Sequence, residues 1–480
     1  MTKYLYGASV HGIQEFIFKA NRIDQIIGAS RIVDKVCNIF YEEYGRSEKC
    51  EMIVNAAGNV KCIFADENLC KIAVLEFPKK VEDMAPGINL SQAVVKMESM
   101  YEDFSLAVEE LERRLQIQRN KPTDFTTPRL MGIIRSPLTN LPATSKREFS
   151  DERNKEEKNK LVLIYCDRGT NLRIDYYKSD YYKKNGHDSR TVLLEANEYD
   201  TIIHADANSL GSMFSSIGSN KEMLHKFSTK LNSLVKSCVV DAKKETYNEL
   251  HDDDKQTIYI NEIICSGDDL TVLCKAKYAI PFTVKYLEHF EKESGKLLRE
   301  LNIRDQECLT ACAGIAFRNK RSTFREGYRI ANFLCERAKD DAYNHSKNYL
   351  LPSCLLFYKQ TGVVTANFAN AYSISMHPAQ NHSFEFGPYY LKKQKDRPSI
   401  YEFMDLAVQL DKEKYIRKNL DDWVVSMYED IELSKLIRQH KLFLSDSKLF
   451  SEVTKPNFRG KVKCYQGFDI LTIMNALNIF

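Results

Sequence analysis

Ile264-Cys265-Ser266-Gly267-Asp268-Asp269-Leu270-Thr271-Val272-Leu273 sets two adjacent carboxylates on a glycine turn between two apolar strands. Successive side chains of a strand point to opposite faces, so a tight turn is needed to bring neighbouring acids onto one ion. Paired carboxylates repel each other unless a cation lies between them. The stretch therefore reads as half of a metal site carried on a hairpin. Upstream, the apolar run Thr201-Ile202-Ile203-His204-Ala205 ends in a third acid, Asp206, the candidate remaining ligand. A plain type I′ turn is the competing reading, but it places its glycine last, whereas Gly267 precedes the acids.

Outward from the hairpin, the patterning gives a strand at 199–206, helices between 208 and 248, the hairpin at 258–274, a helix at 279–302, a strand at 308–317 and an amphipathic helix at 323–347. The first 120 residues show the same order. A strand at 3–9 precedes a helix at 28–45 with Ile32, Val33, Val36, Ile39 and Phe40 at helical spacing. A hairpin at 51–65 turns at Ala57-Gly58-Asn59, and a helix at 67–84 stops before Pro86-Gly87. A strand at 88–95 and a charged helix at 98–119 complete the unit. Strand–helix–strand–strand–helix–strand is the ferredoxin-like order. The expected fold class is α+β, with two such domains in tandem. The first copy has Ala56-Ala57-Gly58-Asn59-Val60 where the second has Ser266-Gly267-Asp268-Asp269, and its first strand ends Tyr6-Gly7-Ala8-Ser9 where the second's ends Ala205-Asp206-Ala207-Asn208. It keeps the pattern without the acids, so it is expected to bind or scaffold while the second copy performs chemistry.

At 480 residues the chain has room for several cores, and 43% hydrophobic with 28% charged content is that of globular protein. Lys and Arg total 69 against 66 Asp and Glu, a net charge of +3, which is no duplex-binding footprint but leaves room for a small anionic ligand. Thirteen scattered cysteines, with no Cys-x-x-Cys, no secretory signal and no bilayer-length apolar run, point to reduced thiols in the cytoplasm and away from a membrane or structural zinc.

Four segments together resemble the polymerase/cyclase large subunit of type III CRISPR effector complexes, whose two palm domains are related to GGDEF nucleotide cyclases. They are Gly12-Ile13-Gln14-Glu15-Phe16-Ile17-Phe18 with Ile27-Gly28-Ala29-Ser30; Ile203 to Gly211; Ser266-Gly267-Asp268-Asp269, similar to that family's Gly-Gly-Asp-Asp hairpin; and Ala313-Gly314-Ile315-Ala316 with Ala338-Lys339. They occur in family order over most of residues 1–350. The resemblance implies a degenerate first palm at 1–120, a polar inter-palm insertion at 121–196, a catalytic second palm at 197–350 and a mainly helical C-terminal region at 351–480. It implies ATP as substrate and a cyclic oligonucleotide, cyclic oligoadenylate or a related product, as an antiviral second messenger. A catalytically silent palm scaffold and a GGDEF-like cyclic dinucleotide cyclase using GTP are the alternatives. The partners implied are other effector subunits with guide RNA, or a second copy of the chain. The HD nuclease domain and the cysteine-rich inter-palm knuckle of many members are expected to be absent. His187-Asp188 reads as a solvated turn, and Ser136 to Ala143 as filling the knuckle's place without zinc ligands.

Phosphoryl transfer at such a site calls for two Mg²⁺ or Mn²⁺ ions on hard oxygen ligands. The expected ligands are Asp206, Asp268, Asp269 and the Ala207 carbonyl. Ser209, Gly211, Ser266 and Gly267 are expected to bring backbone close to the nucleotide, with Asn208 on a ribose hydroxyl or the base and Lys339 on the triphosphate. Each also has a plainer role: Asp206 as a helix cap, and Lys339 on a solvated charged face within Glu336-Arg337-Ala338-Lys339-Asp340-Asp341. Asp252-Asp253-Asp254 reads as an exposed loop and the single tryptophan, Trp423, as core.

Overall fold

The structure is a computed structural model that describes residues 2–18, 23–56, 58–85, 88–98, 103–121, 200–217, 220–249, 260–303, 306–318, 322–346, 351–360, 367–395, 397–413, 415–445 and 447–477. The expected insertion, His187-Asp188, Ser136 to Ala143 and Asp252-Asp253-Asp254 lie outside the described residues.

The first sheet holds β1 (Lys3–His11), β2 (Cys50–Ala56), β3 (Asn59–Phe64) and β4 (Asn89–Met97) in the antiparallel order β2-β3-β1-β4. Gly12, at φ 60°, turns the chain out of β1 into the short helix α1 (Ile13–Ile17). Helix α2 (Ile23–Phe40) starts earlier than its apolar spacing indicated and closes in a π-helical turn, Tyr41–Gly45. Its last residue, Phe40, is fully buried and stacks on Tyr6 of β1 with centroids 5.3 Å apart. Helix α3 (Glu67–Met84) is started by Asp66, whose carboxylate accepts from the Asn68 amide at 2.8 Å. Helix α4 (Phe104–Arg119) starts later than expected, at a cap by Asp103, whose carboxylate accepts from the Ser105 amide at 2.9 Å.

The second sheet repeats that plan and extends it. β5 (Asp200–Ala207) is flanked by β7 (Asp269–Lys275) and β8 (Ala311–Phe317), with β6 (Ile260–Ser266) beyond β7. The order β6-β7-β5-β8 matches β2-β3-β1-β4 strand for strand. Helices α5 (Leu210–Ile217) and α6 (Lys221–Glu249) join β5 to β6, and α7 (Ala276–Glu300) joins β7 to β8. Every residue of β8 is buried, so it is covered on both faces. One cover is α8 (Phe324–His345), started by a reciprocal capping box between Thr323 and Glu326. A Cβ at Gly314 would lie 1.9 Å from the Ala331 carbonyl oxygen, so only glycine lets α8 sit this close on β8.

The sheet does not stop at residue 350. β9 (Cys354–Lys359) runs parallel to β8, with Cys354 opposite Cys312, and β11 (Tyr389–Tyr390) pairs with β9. The second sheet thus takes two strands from the segment expected to be a mainly helical region. The run Cys354-Leu355-Leu356-Phe357 is a short continuous apolar stretch, which periodicity alone cannot assign to strand or helix.

The remaining chain is mostly helical: α9 (Phe368–Met376), α10 (Ile400–Asp411), α11 (Ile416–Glu429), α12 (Ile431–Ser445), α13 (Lys448–Val453) and α14 (Gly467–Leu477). The apolar spacing at 400–418 is divided between α10 and α11, with Tyr415 at φ 64° between them. A small sheet of β10 (His382–Ser383), β12 (Asn457–Arg459) and β13 (Val462–Cys464) lies beside them. Trp423 is buried against Phe384 and Tyr465. This region is locked to α8 through Asp341, which accepts from Tyr390 Oη at 2.7 Å and from Arg397 Nε at 3.0 Å. Among the described residues no helix is long and apolar enough to cross a membrane.

The two ferredoxin-like units touch directly. His225 of α6 donates from Nδ1 to the Ile53 carbonyl of β2 at 2.9 Å, and Lys221 pairs with Glu51. After α1, Phe18 packs on Tyr328 and Phe324 of α8, with centroids 4.1 and 5.8 Å away.

Candidate active site

The hairpin between β6 and β7 pairs Ser266 with Asp269, leaving Gly267 and Asp268 as a two-residue loop. Gly267 has φ 66° and occupies the first loop position, as a type II′ turn requires. That turn explains why the glycine precedes the acids, and it sends Asp268 and Asp269 toward the end of the neighbouring β5. There Asp206 sits opposite Cys312 of β8, one position beyond the last β5–β7 pair, Ala205 with Leu270. Asp206 and Asp268 share a hydrogen bond. Three acids from two distant stretches thus meet at one end of the sheet.

Withdrawal from water raises the Asp268 carboxyl to about 7, and the charge and hydrogen bond of Asp206 add to the rise. Asp269 is also lifted to about 7, by withdrawal from water first and then by the charges of Asp206 and Asp268. Lys339 counteracts both shifts. Oδ1 of Asp269 is buried without a hydrogen-bond donor, although His204 Nδ1 stands 3.4 Å away. Burial depresses His204 to about 4, so its ring is neutral at physiological pH and supplies no compensating charge.

Lys339 enters from α8, and its ammonium donates to Asp206 Oδ2 at 2.6 Å and to the Ala207 carbonyl at 3.0 Å. Burial works against its charge, but the Asp206 carboxylate prevails and its pKa is raised. Asp206 is therefore engaged by a cation, and Lys339 lies on the site and not on a solvated face. Among the described residues no three His, Cys, Asp or Glu side chains are arranged as a finished metal cage. The donor set nonetheless suits a hard divalent cation: clustered carboxylates, two with pKa values raised by crowding and burial, one with an orphaned oxygen, beside a backbone carbonyl.

The other expected site residues divide. Asn208 turns inward, buried, with Nδ2 donating to Thr310 Oγ1 at 3.0 Å and its amide to the Thr310 carbonyl at 2.8 Å. It anchors the strand end through its donors, while its Oδ1 is buried without a hydrogen-bond partner. Ser209 is exposed at φ 55°, and its carbonyl accepts from the Met213 amide at 3.2 Å. Gly211 is exposed in the first turn of α5, where a Cβ would meet nothing within 4 Å. The Gly267 amide donates to Asn232 Oδ1 at 3.4 Å, and the Ser266 backbone closes the hairpin.

A pocket of about 620 Å³ opens in front of the hairpin acids. Asp268 and Asp269 form one wall, and most of the rest comes from the first unit, including Ser9, His11, Gln14, Asn59 and Arg119. Gln14 hydrogen-bonds Asp269 across the gap. The first-unit wall repeats the plan of the acid site with altered chemistry. Arg119 stands as far into α4 as Lys339 does into α8, and it donates to Ser9 Oγ at 3.1 Å where Lys339 meets Asp206. Asn59 begins β3 as Asp269 begins β7, and the Ser9 hydroxyl donates to its Oδ1 at 2.6 Å. A cationic, hydrogen-bonding wall therefore faces an anionic one. Sequence reasoning assigned no role to Gln14, Ser9, Asn59, Arg119 or His204; the match of Ser9 with Asp206 and of Asn59 with Asp269 comes from the strand registers and not from the sequence pattern.

Residues 199–350 match the family described as Cas10/Cmr2, second palm domain. That segment is similar to a Cas10/Cmr2 second palm. No curated protein matches the chain significantly. Among solved structures, a Csm1–Csm4 cassette in complex with pppApA is similar at TM-score 0.55 and 14% identity, covering 99% of this chain and 69% of the other. The cassette with one ATP gives TM-score 0.54 at 13% identity, and the Csm1–Csm4 subcomplex of the type III-A CRISPR-Csm interference complex gives 0.52 at 12%, with the same coverage of both chains. At such identities the likeness is one of fold. Together with the second palm, it gives the chain the architecture of a Cas10-like large subunit with tandem palms and a helical region.

Proposed function

We propose that this Cas10-like chain is a palm-type nucleotidyltransferase that joins ATP into cyclic oligoadenylate, or a related cyclic oligonucleotide, in type III CRISPR antiviral defence. The observation that carries the reading is the meeting of Asp206 with Asp268 and Asp269, the last two lining a pocket whose opposite wall comes from the first unit and carries Arg119. The adenine nucleotides held by the structurally similar cassettes, ATP and pppApA, agree with it. In this reading 1–120 is the degenerate first palm, 197–350 the catalytic palm and 351–480 the supporting region.

Asp206, Asp268, Asp269 and the Ala207 carbonyl would hold a pair of Mg²⁺ or Mn²⁺ ions. When bound, these ions neutralise the triphosphate and lower the pKa of the attacking ribose hydroxyl. The chain's own part is placement. The II′ turn fixes both hairpin acids, and Gln14 holds Asp269 from the opposite palm. Arg119, Ser9 and Asn59 offer donors for the second nucleotide, so the tandem palms supply both faces in one molecule. Other effector subunits are the implied partners, with guide RNA, and the setting is cytoplasmic.

The Asp206–Lys339 ion pair and the unfinished metal cage favour one rival, a silent nucleotide-binding scaffold. Incubation with Mg²⁺ and each labelled NTP, with and without effector partners, separates the two. The proposal expects an ATP-derived oligonucleotide that disappears in Asp268→Ala/Asp269→Ala. Product persisting in that variant removes the metal assignment, and no product from any NTP supports the scaffold.

A further inference from the structure

The Lys339 ammonium lies on two of the groups assigned above to a cation, Asp206 Oδ2 at 2.6 Å and the Ala207 carbonyl at 3.0 Å. A carbonyl oxygen and a carboxylate oxygen converging on one point describe part of a metal's coordination sphere, here filled by the side chain's own charge. The lysine is poorly placed to leave by drifting: its helix is fixed over β8 by the close approach at Gly314, and its side chain is only 27% exposed. A bare divalent ion must therefore displace a held ammonium and leave it beside the incoming positive charge. A metal–triphosphate complex brings phosphate oxygens that can take the ammonium as it leaves.

We infer that Lys339 is a specificity-determining residue that occupies the Asp206–Ala207 cation position at rest, so the site admits divalent metal with a nucleoside triphosphate and resists free metal. This rests on the metal-site reading of the three acids and goes beyond it by setting which form of the metal enters. It also gives Lys339 two partners in sequence, Asp206 before substrate and the triphosphate afterwards.

The test measures Mn²⁺ binding by the electron paramagnetic resonance of the free ion, on full-length protein with and without a non-hydrolysable ATP analogue. Lys339→Met keeps the apolar stem, and Lys339→Gln guards against loss of fold in the first variant. Without nucleotide, both variants should bind Mn²⁺ at least about tenfold more tightly than the parent, about 1.4 kcal/mol. With the analogue present that advantage should shrink or reverse, because the phosphate partner is lost. Variants that bind free Mn²⁺ no more tightly than a parent that binds it well with nucleotide would overturn the inference alone. An absence of Mn²⁺ binding by parent and variants, even with nucleotide, would overturn the metal-site reading and this inference together.

Discussion

Lowering the pH from 8 to 6 should weaken divalent-metal binding steeply, because the cation must displace protons from carboxyls raised to about 7 at Asp268 and Asp269. A carboxyl titrating near 7 is almost fully ionised at pH 8 and about one-tenth ionised at pH 6, so each group that must ionise costs about tenfold in affinity. The two together give about a hundredfold, and the curve should flatten above about pH 8. An ordinary carboxylate near 4 would contribute nothing over this interval. Calorimetric Mn²⁺ titrations in buffers of differing ionisation enthalpy would report both the affinity and the number of protons released. An affinity that changes less than twofold between pH 6 and 8, with no proton release, would refute the argument that these acids are crowded and withdrawn from water. Stability follows the same groups with a defined sign. The folded pKa values lie above the unfolded ones, so the native state binds more protons between about pH 4 and 7. Metal-free protein should therefore lose stability as pH rises through that window and remain at its lower level above it.

Asp269→Asn removes one member of the repelling set, so at pH 8 without metal it should gain about 1–3 kcal/mol in chemical denaturation while losing metal affinity. Gly314→Ala drives a Cβ into the Ala331 carbonyl and should cost about 3 kcal/mol or more, with α8 and Lys339 displaced and nucleotide binding weakened in step. Arg119→Ala should weaken binding of an ATP analogue by about tenfold or more, the worth of a charge-assisted hydrogen bond, with the melting temperature little changed. Asp341→Ala leaves Arg397 buried beside Tyr390 without its counter-charge and should cost about 3–5 kcal/mol in a denaturant titration.

The tandem βαββαβ plan was legible because strand and helix periods alternate cleanly in both halves, and both hairpins carry a turn glycine. Helix starts were read less well where a cap overrode apolar spacing: Asp103 sets the start of α4, and Gly12 lets α1 begin straight after β1. β9 and β11 were missed because a four-residue apolar run and a two-residue bridge carry no period of their own. The meeting of Asp206 with Asp268 follows from strand order, since β5 neighbours β7 in a ferredoxin-like sheet. Side-chain direction does not follow from pattern. Asn208 looked like a ligand contact but is drawn inward by Thr310, and Lys339, within a run of charges, reaches Asp206 through the crossing of α8 over the sheet. Gln14 reaches Asp269 only because the two units pack face to face, a relation that no local window contains.

The pairing of Cys354 with Cys312, and of Cys312 with Asp206, puts only two rungs of backbone pairing between the late chain and the Asp206 carboxylate. Cutting the polypeptide after residue 350 would strip that outer strand and leave a buried apolar row as a bare edge, inviting intermolecular pairing. The second ferredoxin-like unit is therefore not a portable cassette, and strain applied to the C-terminal helices has a path only a few hydrogen bonds long to the three clustered acids.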